Sequence, residues 1–247
     1  MQVSQHYSKA PITEALIDLK VTLPEEFSTN DLANIYSRIS DRFPTQESIQ
    51  TGSLVFQAGP TIRVDANQQH SGFLFRSKDG VKILQATLNG FTFSRLAPYD
   101  SWEEFSSDAK YLWGIYKEIC KPTSVTRAAI RFINQINIPT KDAVDLQEYL
   151  RTAPEVSPDL PQAGLNSFFT QLQIPQYDLN CMLIINEALV PRINPDFISV
   201  ILDFDLFRQQ VWQADDEDIW HFLEELRRRK NAVFEASITD KARRLFD

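Results

Sequence analysis

The sequence predicts an α+β fold of two similar halves, each a mainly antiparallel sheet with long helices on one face. Three observations support this prediction: the same order of elements occurs twice, turn dipeptides separate short strand-like segments, and each half ends in a long amphipathic helix. We place the boundary at Lys121-Pro122, because a helix rarely continues into the residue before a proline. The halves then cover residues 1–121 and 122–247 of one compact unit.

The first half opens with a predicted strand and a predicted helix. Residues 15–23 alternate apolar and polar side chains, which is typical of a strand with one face in water. Pro24 ends this strand, and Ser28 or Thr29 is placed to cap a helix that extends to Phe43.

A meander and a closing helix complete the first half. Asp79-Gly80 and Asn89-Gly90 predict hairpins, because both dipeptides tolerate the positive φ of a type I′ turn. Asp100 or Ser101 is placed to cap the closing helix. The predicted strands cover 47–58, 61–65, 71–77, 81–88 and 91–97, with a further turn at Gly59-Pro60.

The second half repeats this order with a proline-rich loop inserted. A strand is predicted at 124–138 and a short helix at 145–150, followed by a loop at 152–164. Asp215 or Asp216 begins the closing helix, and Thr239 is placed to cap a short terminal helix. The remaining predicted strands cover 167–175, 178–189 and 197–206.

The composition of the chain excludes or disfavours several classes of function. The 247 residues carry a net charge of −8, which repels phosphate backbones and disfavours nucleic-acid binding. Cys120 and Cys181 lie in apolar surroundings and no histidine has ligand spacing beside them, so we expect no zinc site and no cofactor. No signal peptide and no apolar run of about 18 residues is present, so we expect a cytoplasmic protein outside the membrane.

Charged residues on the predicted strands supply the candidate site. Asp203 and Asp205 are two positions apart on a strand, so both carboxylates leave the same face and are weak candidates for holding Mg²⁺. Arg127, Arg131 and Arg95 are expected on the polar face of the sheet as a ligand or partner surface. A self-satisfied structural network explains the same residues equally simply.

Further charged residues extend these two interpretations. Glu14, Asp18 and Glu187 are expected to share the polar face with the arginines. The run 227–230 in the closing helix is interpreted as a solvated helix face, with a docking strip for an acidic partner or a nucleic acid as the alternative.

Four stretches resemble a sporadically distributed, uncharacterised bacterial protein family. The likeness spans nearly the whole chain and implies no catalytic residues. Its patchy occurrence among bacteria would suit an accessory protein of a defence or toxin–antitoxin system. The stretches are Lys9–Ala15 (KAPITEA), Arg131–Asn134 (RFIN), Leu202–Asp205 (LDFD) and Phe234–Thr239 (FEASIT).

The predicted order of elements also resembles the duplicated half of the TATA-binding-protein fold, or a helix-grip fold. Since likeness of fold does not carry function, three hypotheses stay open. The first is a non-enzymatic binding or regulatory module with a protein partner, for which exposed sheet edges also allow a homodimer. The second is a metal-dependent nucleotide-processing enzyme using Asp203 and Asp205, and the third is a small-ligand-binding protein.

Overall fold

A computed structural model of the chain shows a nine-stranded sheet in which every neighbouring pair of strands is antiparallel. The α+β class is therefore confirmed. The structure describes residues 7–57, 63–140, 144–157, 159–161, 165–191, 194 and 196–247, and between 51 and 69 it describes the backbone alone.

Nine strands and four α-helices make up the described part of the chain. The strands are β1 (Ile12–Thr22), β2 (Thr45–Gln57), β3 (Arg63–Arg76), β4 (Lys82–Thr87), β5 (Gly90–Leu96), β6 (Ser124–Pro139), β7 (Phe169–Gln176), β8 (Cys181–Val190) and β9 (Phe197–Trp212). The helices are α1 (Asn34–Ile39), α2 (Trp102–Cys120), α3 (Asp218–Ser237) and α4 (Asp240–Arg243).

The strand order places β1 and β6 side by side near the middle of the sheet. Across the sheet the order is β2-β3-β4-β5-β1-β6-β9-β8-β7. The last strand before α2 returns to pair with β1, and the last strand before α3 returns to pair with β6. Residues from both sides of Pro122 therefore contribute to one continuous hydrogen-bonded sheet.

One face of the sheet packs against helices, because alternate residues of each strand are apolar and point to that side. On β1, Ala15, Ile17 and Leu19 are fully buried there. Phe93 stacks on Phe105 of α2 at 5.5 Å between ring centroids. We call this side the helix face and the opposite side the open face.

Helices α2 and α3 run antiparallel to each other over the helix face. Ion pairs join their exposed flanks, with Lys117 Nζ 2.6 Å from Asp215 before α3 and Arg227 3.8 Å from Glu103 at the other end. Such exposed pairs contribute at most about 1 kcal/mol each, so the buried apolar stripes hold the helices in place. None of the described helices is both long and apolar enough to cross a membrane.

Two glycines allow the tight turns of the first half for different reasons. Gly80 has a φ of +75° but Asp79 does not have a positive φ, so the hairpin predicted there forms with one left-handed residue and without the predicted type I′ turn, which needs two. Gly90 does not have a positive φ, so the predicted type I′ turn at Asn89-Gly90 is wrong, although the hairpin forms. A Cβ on Gly90 would lie 2.6 Å from the carbonyl oxygen of Leu19, which explains the glycine by close strand approach.

Several predicted boundaries are corrected by the structure. The break expected between 65 and 71 is absent, because β3 runs without interruption from Arg63 to Arg76. The first helix is a 3₁₀ turn followed by the six residues of α1, and β9 continues to Trp212. The turn predicted at Gly59-Pro60 lies outside the described residues.

The second half departs from its predictions in smaller ways. The predicted helix at 145–150 is a 3₁₀ turn of three residues, Leu146–Glu148. The strand expected from 178 begins at Cys181 after another 3₁₀ turn, and α3 begins at Asp218. Thr239 caps α4 as predicted, its hydroxyl accepting from the backbone N–H of Ala242. Part of the predicted loop at 152–164 lies outside the described residues.

Candidate functional site

Two adjacent groups of hydrogen-bonded polar side chains, one around Arg127 and one around Arg131, form a row across six strands of the open face, from β5 to β7. The strand register places these side chains together, because directly opposed residues point to the same face. We call the row the open-face network. It comprises Thr92, Asp18, Lys20, Arg127, Asp205, Arg131, Asp203, Asn186, Gln171 and Gln173.

Arg127 joins two carboxylates from the strands on either side of β6. Its Nη1 donates to Asp18 Oδ1 at 2.7 Å, and its Nη2 donates to Asp205 Oδ2 at 3.0 Å. The hydroxyl of Thr92 donates to Asp18 Oδ2 at 2.8 Å. The guanidinium carbon lies 4.3 Å from the centre of the Phe207 ring, a cation–π contact that fixes its plane.

Arg131 makes the second centre of the network. Its Nε donates to Asp203 Oδ1 at 2.8 Å and its Nη2 to Asp203 Oδ2 at 2.6 Å, a two-pronged pair. Asn186 also donates to Asp203 Oδ2, at 2.9 Å, and accepts from Gln171 at 2.8 Å. Gln173 continues this row of amides to the edge of the sheet.

The ionic part of the network is formally neutral and its members are unequally exposed. The Arg131 side chain is 41% exposed, whereas the Asp203 side chain is 5% exposed. Hydrogen bonding to Asp203 raises the pKa of Arg131, and burial raises the pKa of Asp205 although Arg127 opposes this shift. Three carboxylates balance three cations, namely Asp18, Asp203 and Asp205 against Lys20, Arg127 and Arg131.

The geometry of Asp203 and Asp205 bears on the magnesium hypothesis. The two carboxylates do share a face, but each is bound by a guanidinium that a cation would have to displace. Within the described residues, no group of three or more histidine, cysteine, aspartate or glutamate side chains is arranged to hold a metal ion. The arrangement therefore suits a fixed charged surface better than a metal centre.

Arg95 lies on the helix face, so the expectation that it joins Arg127 and Arg131 is wrong. It is opposite the buried Ala15 in the register, and its Nη2 pairs with Asp100 Oδ2 at 2.5 Å. A narrow cleft of about 10 Å³ adjoins it, far smaller than the ~300–1,000 Å³ of typical ligand sites. The residues that line this cleft are Lys82, Phe93, Arg95, Asp100, Ser101, Glu104, Phe105 and Asp108.

Glu187 also lies on the helix face, which corrects its expected place beside Asp18. It is opposite Leu202 in the register and only 1% exposed. Thr152 donates to its Oε2 at 2.6 Å, while its Oε1 is buried without a hydrogen-bond partner. Burial raises the pKa of this carboxyl group, against the opposing effect of Thr152.

Lys230 of α3 is a second buried charge on the helix face, which corrects its interpretation as part of a solvated run. It is 8% exposed, and its Nζ lies 4.0 Å from the centre of the Phe132 ring. Among the described residues no carboxylate is within ion-pair distance of this amine. Burial, with a further contribution from Arg227, lowers the pKa of Lys230 to about 7, whereas Glu235 opposes the shift.

Sequence reasoning missed the neutral members of the network. Asn186, Gln171 and Thr92 hold the charged residues in place, yet polar uncharged residues on strands give little warning of a site. Their place on the open face could have been predicted from the alternation of side chains along each strand. Asn186 alternates with the apolar Ile185 and Thr92 with Phe93, so both face away from the core.

Fold and site together define an α+β protein with a helix-covered face and an open face that carries a neutral network of paired charges. Comparison of the sequence with models of known protein families and with curated proteins found no match.

Proposed function

We propose that this protein is a non-enzymatic binding module that contacts a partner protein through the open face. The observation that carries the proposal is the open-face network, which crosses six strands on the side away from helices α2 and α3. This row lies on the side of the sheet that α2 and α3 leave uncovered, where a partner can reach it.

A partner that covers this surface must remove water from its charged side chains. Charges that are already paired lose less on desolvation than free charges, so a partner can dock over them at a moderate cost. Arg131 keeps 41% of its side chain exposed and can donate further hydrogen bonds to the partner. Arginine and aromatic residues such as the nearby Phe207 are enriched in protein interfaces.

A protein partner fits this surface better than a nucleic acid does. The net charge of the chain is −8, and the three cations of the network are matched by three carboxylates. Binding to a phosphate backbone depends on unmatched cations that release counterions. The same pairing weakens the case for a metal-dependent nucleotide enzyme at Asp203 and Asp205.

We also propose that the two halves arose by duplication and form an arrangement like that of the TATA-binding-protein fold. In support, β5 pairs with β1 as β9 pairs with β6. Helices α2 and α3 lie antiparallel across the seam, as two related halves would place them. The resemblance to a sporadically distributed bacterial family further suits a cytoplasmic accessory protein of a defence or toxin–antitoxin system.

The experiment is an affinity capture from the source organism with quantitative mass spectrometry. Ile184→Lys places a charge on the open face beside Asp205, its partner in the register, and should abolish recovery of the partner. Tyr111→Lys adds the same charge on α2, where the tyrosine is 48% exposed, and should leave recovery unchanged. Equal recovery by both variants, or no stoichiometric protein with the unaltered chain, would contradict the proposal.

A further inference from the structure

Strand β7 forms one edge of the sheet and is unusually open. Among the strands that the structure describes, it pairs with β8 alone. Phe169 is 68% exposed at its start, Ile174 is 38% exposed, and Tyr177 just after it is 88% exposed. Large exposed apolar side chains along one edge indicate a surface that another chain covers.

The charge pattern of this edge differs from the rest of the chain. No charged residue occurs in 160–177, although 23% of all residues are charged. Proteins usually protect an edge strand with charges, bulges or prolines, and β7 has Pro175 alone. Two copies of a chain with a net charge of −8 repel each other least where they meet through an uncharged segment.

The hydrogen-bonding direction of β7 follows from its pairing with β8. The carbonyl of Phe168 accepts from the N–H of Leu189 at 3.2 Å, so residue 168 points its backbone groups at β8. The direction of the backbone N–H and C=O groups alternates from residue to residue along an antiparallel ladder. The backbone groups that point outward, away from β8, are therefore those of Phe169, Gln171, Gln173 and Pro175. Proline at an outward position fits this assignment, because no bond to β8 needs its missing N–H.

Side-chain direction gives the second condition for pairing. Gln171 and Gln173 lie on the open face with Asn186, whereas Leu172 lies on the helix face opposite Ile185. Suppose that β7 of a second copy pairs antiparallel with this strand, so that the outward residues of the two copies lie opposite each other. The open-face side chains of one copy then lie beside the open-face side chains of the other. Both faces then match, and so do the backbone groups except at Pro175, which has no N–H to donate.

We infer that β7 pairs with β7 of a second copy of this chain, antiparallel, with Leu172 on the two-fold axis. This register places Gln171 opposite Gln173 of the other copy and Phe169 opposite Pro175. It uses all four outward residues of β7, which no shifted two-fold register does. The open faces of the two copies then lie on the same side of one continuous sheet.

The expected affinity of this dimer follows from the surface area that the two copies bury. Phe169 and Tyr177, with the strand backbone and Ile174, bury on the order of 500 Å² per copy, below the ~800 Å² of a standard interface. The dimer should therefore be weak, with a dissociation constant in the micromolar range. The inference goes beyond the proposed function and does not depend on it.

A cysteine cross-link tests the register. Residues paired at the two-fold axis without mutual hydrogen bonds are about 4.5 Å apart at Cα, which suits a disulfide. Leu172→Cys should give a disulfide-linked dimer on oxidation, while the native Cys120 and Cys181 are buried and free. Val211→Cys, at a residue that is 70% exposed on β9, is the control and should remain largely monomeric.

Sedimentation velocity between about 1 and 300 μM tests the backbone pairing without a cross-link. Gln173→Pro removes an outward N–H and leaves the ladder to β8 intact, so dimerisation should weaken about ten-fold or more. Gln173→Ala loses the same side chain but keeps the N–H, and should dimerise like the unaltered chain. Circular dichroism confirms that each variant is folded.

Three results would overturn the inference. One is a monomer at every concentration, and another is cross-linking of Leu172→Cys no faster than that of Val211→Cys. The third is a dimer that Gln173→Pro does not weaken, because association would then use a different surface.

Discussion

The interior beneath α2 and the interior beneath α3 lie on the same face of one sheet, yet they are built differently. Beneath α2, aromatic rings fill the space: Phe91 contacts Trp113 at 5.5 Å and Tyr116 at 5.8 Å between centroids. Beneath α3, Glu187 and Lys230 are buried among apolar residues. The first interior is arranged for stability, whereas the second contains titratable groups that lack ionic partners within the described residues.

This difference teaches where the protein is sensitive to its environment. An aromatic cluster responds little to pH, because nothing in it ionises in the physiological range. A buried carboxyl or amine without an ionic partner changes protonation on folding, which links stability to pH. In the physiological range, the interior beneath α3 should therefore respond to pH, whereas the aromatic cluster beneath α2 should not.

The largest expected effect comes from opening a cavity in the aromatic interior. Phe91→Ala should lower the free energy of unfolding by about 3–5 kcal/mol, since Phe91 is fully buried and its neighbours cannot close the gap. Urea unfolding at neutral pH measures the change. Phe207→Ala removes the same atoms from a half-buried position on the open face and should lower it by less. A larger loss at Phe207 would reverse the assignment of the stabilising core.

The next effect concerns Lys230, whose folded pKa of about 7 lies below its unfolded value of 10.5. Between these values the unfolded chain binds a proton that the folded chain does not, so stability rises with pH. Relative to Lys230→Met, the unaltered protein should gain about 2 kcal/mol from pH 7 to pH 9. Lys110→Met, at an exposed lysine of α2, should show no such relative slope. Parallel profiles for the protein and Lys230→Met would show that the amine is solvated.

The smallest effect concerns Glu187, whose pKa is raised above 4.5 by burial. The unfolded chain loses this proton first, so stability declines as pH rises from 4.5 through the folded pKa. Glu187→Gln removes this loss and keeps the acceptor for Thr152, so at pH 7 it should be more stable by roughly 1 kcal/mol. Thermal unfolding at pH 4 and pH 7 measures the difference. A variant that is less stable at pH 7 would indicate a bound cation or water at Oε1.

Local patterns predicted much of the fold, because they depend on neighbouring residues alone. Ser101 caps α2 by accepting from the N–H of Glu104 at 3.1 Å, as its position before an amphipathic stripe indicates. Arg127, Arg131, Asp203 and Asp205 share one face because side chains alternate along strands. The order of strands could not be predicted this way, since hydrogen bonds between distant residues determine it.

The errors in the candidate site have a common physical cause. Arg95 has the same alternation as Phe91 and Phe93, and Glu187 has that of Ile185, so both were placed on the apolar side by their own spacing. Both were nevertheless predicted on the open face, because charged side chains were expected to lie in water. Lys230 shows the same effect in a helix, because it is four residues after the buried Leu226.

The central position of β1 determines how the chain can be made. One edge of β1 pairs with β5, but the other edge stays unpaired until β6 is synthesised. The hydrogen bond from the hydroxyl of Thr123 to the carbonyl of Thr22 joins residues that are 101 positions apart. At a synthesis rate of about 5–20 residues per second, that edge stays open for several seconds after β1 leaves the ribosome. Until β6 is synthesised, the nascent chain exposes the unpaired edge of an apolar strand to other nascent chains on the same mRNA. A chain that ends after α2 keeps that edge unpaired permanently.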